Sequence, residues 1–263
     1  MGSLLREGVR LAFDDIAPAS AAAEAVVLVH GFATSRSENW RRLGWYGAFE
    51  RKGWRVVALD LRGHGESDKP HDPAAYGLPA LTADVVGLID HLGLGRVTLM
   101  GYSMGARLAL QIALEQGDRL DRLILGGVGA RMFEPPRTPE GPVMSMAEAM
   151  RAQSAGAIAD KTLRGFRLFA EQQGEDLAAL AAFSEGRAGP GLSRERLGAI
   201  AAPTLVVAGA RDEMAGDPEP LAAAIPGARA VTLPGCDHFS AIPHALYKAA
   251  VFDFVEGWME EGP

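Results

Sequence analysis

The chain contains one cysteine, Cys236, in 263 residues. A single thiol cannot close an intrachain disulfide, gives no sign of an oxidising compartment, and leaves no set of thiolates for a structural zinc site. A basic cluster is also missing: 26 Lys and Arg stand against 33 Asp and Glu, for a formal net charge of −7. A phosphate backbone demands a clustered basic surface, so a nucleic-acid partner is excluded and mild acidity serves solubility. No apolar run approaches the roughly 20 residues needed to span a bilayer. The longest, such as Ala25 to Val29 and Thr204 to Ala208, have the length of strands. Met1 to Arg10 lacks the basic segment, apolar run and small-residue cleavage site of an export signal. The expectation is a soluble, cytoplasmic protein, monomer or homodimer, with no membrane partner. Nothing suggests a metal, a nucleotide or a flavin, so no cofactor is expected.

What the chain does have is apolar material, 48% of its residues, enough for a sizeable core in one large α/β domain. Short runs rich in β-branched residues recur at Ala25 to Val29, Arg55 to Leu59, Arg96 to Met100, Leu120 to Leu125, Thr204 to Ala208 and Ala228 to Leu233. They read as strands buried on both faces. Segments of helical period lie between and after them: Asn39 to Arg51, Leu78 to Leu92, Met104 to Gln116, Pro218 to Ala224 and Pro243 to Met259. This alternation predicts a doubly wound, mostly parallel α/β sheet, with Val9 to Phe13 as one arm of a small antiparallel edge. After the strand that ends near Gly126, about 75 residues pass before the next, too many for a simple crossover. That stretch opens with four prolines between Arg131 and Pro142 and continues in Ala-rich helical pattern from about Ser145 to Glu185. It predicts a helical cap at residues 131–199, inserted into a core formed by 1–130 and 200–263.

Gly101-Tyr102-Ser103-Met104-Gly105 lies between a strand and a helix. A serine at such a turn exposes its Oγ, and the flanking glycines remove side chains that would collide there. His30-Gly31-Phe32-Ala33 ends the strand Val26 to Val29. Loops at the carboxyl ends of neighbouring parallel strands meet at one edge, so the two turns come together. Ester hydrolysis passes through an oxyanion that needs two pre-aimed donors, and the backbone N–H groups of Phe32 and Met104 are the natural pair. His30 reads as structural, holding its loop through hydrogen bonds.

His-Gly-Phe after one strand, Asp60-Leu61-Arg62-Gly63-His64-Gly65-Glu66-Ser67 after the next and Gly-Tyr-Ser-Met-Gly after the third together resemble the α/β-hydrolase family. Within it the chain is most similar to small bacterial serine esterase-like hydrolases with a helical cap. The resemblance covers nearly the whole chain, is strongest from about residue 25 to 125 and is weak through the cap. It implies that the Arg62-Gly63-His64-Gly65 loop shapes the site without carrying chemistry. A serine needs a base to take its proton, and the base needs a carboxylate to fix its tautomer and stabilise its charge. His238, just after the last strand, stands where the family places its base, whereas His71, His91 and His244 fit exposed or capping roles. The family order of nucleophile, acid and base points to Asp212, after the strand Thr204 to Ala208. Its local rivals are Asp217, placed to start a helix before Pro218, and Asp237, whose side chain should point away from its neighbour His238.

The expected activity is cleavage of small to medium carboxylic esters by an acyl-enzyme, with Ser103 as nucleophile, His238 as base and Asp212 as orienting acid. Haloalkane dehalogenases and most epoxide hydrolases of the family carry an aspartate where this chain has Ser103. Carbon–carbon hydrolases usually carry a tryptophan after the histidine, where this chain has Phe239. Alternatives with the same residues are carbon–carbon cleavage, thioester hydrolysis and cofactor-free perhydrolysis; a receptor that keeps the fold only for binding is the non-enzymatic one. Phe133, Met144, Met146, Met150, Phe166, Leu168, Phe169 and Phe183 in the cap are candidates for an apolar pocket, and equally for packing on one another.

Overall fold

Alternating burial sets the layout of the sheet. In β3 (Ala25–Val29) all five residues are buried, and they part by parity: Val27 and Val29 enter the core on one face, Val26 and Leu28 the core on the other. Period-two alternation sends neighbours to opposite faces, so a strand apolar at every position needs helices on both. The structure, a computed structural model, describes residues 1–18, 24–134, 144–186 and 192–257. Its sheet has eight strands in the order β1-β2-β4-β3-β5-β6-β7-β8. The others are β1 (Gly2–Arg6), β2 (Val9–Ile16), β4 (Arg55–Leu59), β5 (Val97–Tyr102), β6 (Leu120–Gly126), β7 (Thr204–Gly209) and β8 (Arg229–Leu233). β1 and β2 pair antiparallel, as do β2 and β4, and every other pairing is parallel. The antiparallel edge is a hairpin closed by Glu7 and Gly8, both at positive φ, as a two-residue turn of that hand requires.

Helices α2 (Leu78–His91) and α3 (Met104–Glu115) pack on one face; α1 (Trp45–Arg51) and α9 (Ala245–Val255) cover the other. The helix expected over Asn39 to Arg51 is two pieces, a wide turn at Ser37–Arg41 and then α1, because Gly44 at φ 78° breaks the helical path between them. Similarly, Pro218 to Ala224 shortens to α8 (Glu219–Ala222). Between β6 and β7 stand α4 (Met146–Arg151), α5 (Lys161–Gln173), α6 (Leu177–Gly186) and α7 (Arg194–Leu197). Most of the proline-rich stretch from Arg131 to Pro142 falls outside the described residues. α4, α5 and α6 share a small core of Met150, Phe166, Ala170, Leu180 and Ala181 that also takes in Ala33 of the β3 loop. Among the described residues no helix is long and apolar enough to cross a membrane.

β3 pairs with β4 on one side and β5 on the other, so the chain reverses its winding at β3. In open α/β sheets such a reversal parts the loops at the carboxyl ends and leaves a crevice between them. The register matches Val29 to Gly101, Gly126 to Val207 and Gly209 to Leu233. The loops after β3, β5, β6, β7 and β8 therefore leave the sheet along one edge.

Candidate active site

Ser103 occupies the sharp turn between β5 and α3 at φ 53° and ψ −107°. A non-glycine residue there carries roughly 1–3 kcal/mol of strain and persists only where its surroundings over-determine it. Here its N–H donates to the Gly126 carbonyl at 2.8 Å. A Cβ at Gly105 would meet the carbonyls of Val29 and His30, and one at Gly101 the carbonyl of Gly105. The two glycines thus let α3 start close against β3 and β5 and aim Oγ outward.

His238, in the loop after β8, brings Nε2 to 3.0 Å from Ser103 Oγ. Its Nδ1 lies 2.7 Å from Asp212 Oδ2. With the Nδ1 proton donated to the carboxylate, Nε2 is left to accept from the serine hydroxyl. Asp212 is itself held: Oδ1 accepts from the N–H groups of Met214 at 3.0 Å and Ala215 at 2.9 Å. Tyr102 donates its phenol to the His238 carbonyl, and burial raises the pKa of that phenol. The strand residue before Ser103 therefore anchors the His238 loop. Asp237 is occupied elsewhere, accepting from the Phe239 and Ser240 N–H groups and from the Ser240 hydroxyl, bonds that hold its pKa down. Asp217 caps α8 through the Glu219 N–H at 3.0 Å.

The N–H groups of Phe32 and Met104 donate to no other group among the described residues. The Phe32 loop is set by Ala33 at φ 58° and by Asn39, whose Oδ1 accepts the Gly31 N–H at 3.0 Å. Asn39 plays a positioning part that no motif announces. His30 is buried and ties two loops: Nδ1 donates to the Gly31 carbonyl at 2.7 Å and Nε2 accepts the Leu61 N–H at 3.0 Å. Its burial lowers its pKa and favours the neutral ring this pairing needs. Beneath the Asp60 to Ser67 loop, buried Arg36 pairs with Asp60, Glu66 and, at 3.1 Å, Asp14. Arg62 grips Asp84 with two bonds of 2.6 and 2.7 Å.

Two cavities open at Ser103 and His238. The larger, of about 700 Å³, runs between α2, α3 and the inserted helices; the smaller, of about 230 Å³, lies toward Asn39 and Ile242. Of the residues that the sequence singled out for an expected cap, Met146, Phe166 and Phe183 line the larger and Phe166 and Phe169 the smaller. Met150 is buried among the inserted helices, Leu168 is exposed, and Phe133 lies under the Arg194 guanidinium at 4.0 Å. Among the described residues no group of His, Cys, Asp and Glu could hold a metal ion.

Comparison with known proteins agrees with this architecture. An epoxide hydrolase of Siraitia grosvenorii is 36% identical over 100 residues, 38% of this chain and 31% of that protein. An sn-1-specific diacylglycerol lipase of Mus musculus is 38% identical over 101 residues, again 38% of this chain and 31% of that protein. The matched segments thus span about a third of these relatives' length. The crystal structure of the enol-lactonase from Burkholderia xenovorans superposes with a TM-score of 0.77 at 28% identity, covering 97% of this chain and 100% of that one. A family model described as the alpha/beta hydrolase fold matches residues 24–185, more than half the chain, and this chain belongs to that family.

Proposed function

We propose that the chain is a carboxylic-ester hydrolase working through an acyl-enzyme, with the helices between β6 and β7 as a cap over its site. The observation that carries this reading is the unbroken relay from Ser103 Oγ through both ring nitrogens of His238 to Asp212, at 3.0 and 2.7 Å. As Oγ attacks the carbonyl carbon, Nε2 takes its proton, and Asp212 stabilises the imidazolium. The carbonyl oxygen becomes an oxyanion that the free N–H groups of Phe32 and Met104 can receive. Collapse breaks the ester C–O bond, and the Nε2 proton passes to the departing alcohol. Water, deprotonated by His238, then attacks the acyl-enzyme and releases the acid.

Two cavities meeting at one nucleophile suit the two substituents of an ester carbonyl. Likeness to an enol-lactonase, by name a hydrolase of cyclic esters, supports the same chemistry. Serine argues against the epoxide reading, since it replaces the aspartate that most epoxide hydrolases of this fold use. The test is a turnover panel of p-nitrophenyl esters of graded length, an acyl thioester and a vinylogous diketone, run beside labelling by a fluorophosphonate. Preference for short or medium esters with labelling at Ser103 is the expected result. Activity on the diketone alone would overturn it in favour of carbon–carbon cleavage.

A further inference from the structure

Arg107 stands one helical turn beyond Ser103 on α3, and its N–H bonds the Ser103 carbonyl at 3.1 Å. Residues four apart on a helix share a face, about 6 Å apart at Cβ. Both line the larger cavity, whose other described lining is mainly Leu, Met and Phe with Gln111 and His238. Arg107 is the one residue of that lining with a permanent charge. It is exposed, and among the described residues it has no ion pair, side-chain hydrogen bond or ring partner. The surrounding protein is dense enough to lower its pKa by desolvation, with no carboxylate to oppose the effect.

The contrast with the other arginines near the site is sharp. Arg36 and Arg62, each buried, are both matched to carboxylates. An exposed guanidinium without a partner is free to take a ligand, and this one sits in the first turn of a helix, where the macrodipole favours anions over cations. An anion in the cavity would pair with the guanidinium and offset that unfavourable placement. One guanidinium, with only the Gln111 amide as a polar neighbour on the same wall, matches a singly charged carboxylate. A dianionic phosphate would keep a charge uncompensated.

We propose that the substrate carries a carboxylate at the end remote from the reacting carbonyl, and that Arg107 binds it as the specificity-determining residue of the larger cavity. This rests on the ester reading, so the test separates the two. Mono-p-nitrophenyl adipate, pimelate and suberate, chains long enough to keep the carboxylate from attacking its own ester, are compared with their methyl diesters in wild type, Arg107→Met and Arg107→Lys. Wild type should favour the hemiester at one chain length. The ratio of kcat/KM between hemiester and diester should fall roughly 10- to 100-fold in Arg107→Met, chiefly through KM, and recover in part in Arg107→Lys. A wild-type ratio near one, or a ratio that Arg107→Met does not move, would overturn the proposal. Calorimetry on Ser103→Ala, with monomethyl and dimethyl suberate as ligands, needs no turnover. A preference for the monoanion there that disappears in Ser103→Ala/Arg107→Met supports the anion site even if no ester is hydrolysed, in which case the ester reading alone falls. Equal binding of both ligands, with no hydrolysis, overturns both.

Discussion

The floor of the cavities and their roof are held by different forces. On the floor the residues of the candidate site have their backbone or their partner tied down: Ser103 N–H to Gly126, Asp212 Oδ1 to two N–H groups, the His238 carbonyl to the Tyr102 phenol, the Gly31 N–H to Asn39. The roof is held mostly by ring and aliphatic contacts, with Phe32 packed edge-on against Phe166 at 5.9 Å and Tyr76 against Phe183 at 5.4 Å. Its polar ties to the core are sparse and include Glu175 to the Gly65 N–H and His71 to Asp176. Hydrogen bonds are directional and hold atoms to tenths of an ångström, whereas apolar packing tolerates substitution that conserves volume. Under the proposed function, the reaction and the choice of substrate fall to separable parts of the molecule.

Breaking the floor should therefore abolish chemistry and spare the fold. Ser103→Ala should lose nearly all ester turnover and all fluorophosphonate labelling while its thermal melt stays within a few degrees of wild type, since one half-buried hydroxyl adds little packing. Equal labelling of both proteins would place the nucleophile at another serine. Next in size is Asp212→Asn. Without the carboxylate the imidazole can settle in the wrong tautomer, an effect of roughly 10⁴ in a serine protease triad. Asp217→Asn and Asp237→Asn should change turnover far less, because those side chains cap α8 and the Ser240 turn. If Asp237→Asn proved the most damaging of the three, the acid would have to be reassigned.

The same contrast explains what the sequence reveals. The floor is built from strand ends, where β-branched runs, glycines and the short Gly101 to Gly105 motif leave strong local signals, and the mostly parallel sheet with its antiparallel edge follows from them. A helical period cannot register Gly44, so Asn39 to Arg51 reads as one helix where the chain makes two. The partner of Val9 to Phe13 escapes notice because Gly2–Arg6 is a half-exposed edge strand with little apolar pattern. Asn39 acts through one amide oxygen on Gly31, within the same connection after β3, and no motif marks that contact. Arg107 is the clearest case: an exposed arginine on a helix reads as plain surface, and only the packing of the inserted helices places it on a cavity that also contains Ser103.

The roof can be probed by size. Met146 lines the larger cavity and follows the capping serine of α4, Ser145. Met146→Trp should fill part of that space and shift the preference of p-nitrophenyl octanoate over butyrate downward by about tenfold, in line with roughly 1–3 kcal/mol per misfitted methylene. Its melting temperature should move little. A large loss of stability with an unaltered chain-length profile would show that Met146 supports the roof and does not shape the pocket.

The smallest expected effect tests whether the roof is also a pH-sensitive attachment. Glu175, between α5 and α6, accepts the Gly65 N–H at 3.1 and 3.2 Å through its two oxygens. Burial raises its pKa to about 7, reinforced by Asp60 and Asp176; the Gly65 N–H and Lys69 oppose the rise. In the unfolded chain the same carboxyl titrates near 4.5. Between these values the folded protein binds the extra proton, so stability is fully present below the unfolded value and is lost as pH rises through about 7. The shift sets an upper bound of about 3 kcal/mol, reduced by the partial exposure of the group. Wild type should therefore lose a few degrees in melting temperature between pH 5 and pH 8 relative to Glu175→Gln, which keeps an accepting oxygen for Gly65 and cannot ionise. Parallel melting curves for the two proteins across that range would mean that the Glu175 carboxylate is accommodated in the fold without cost.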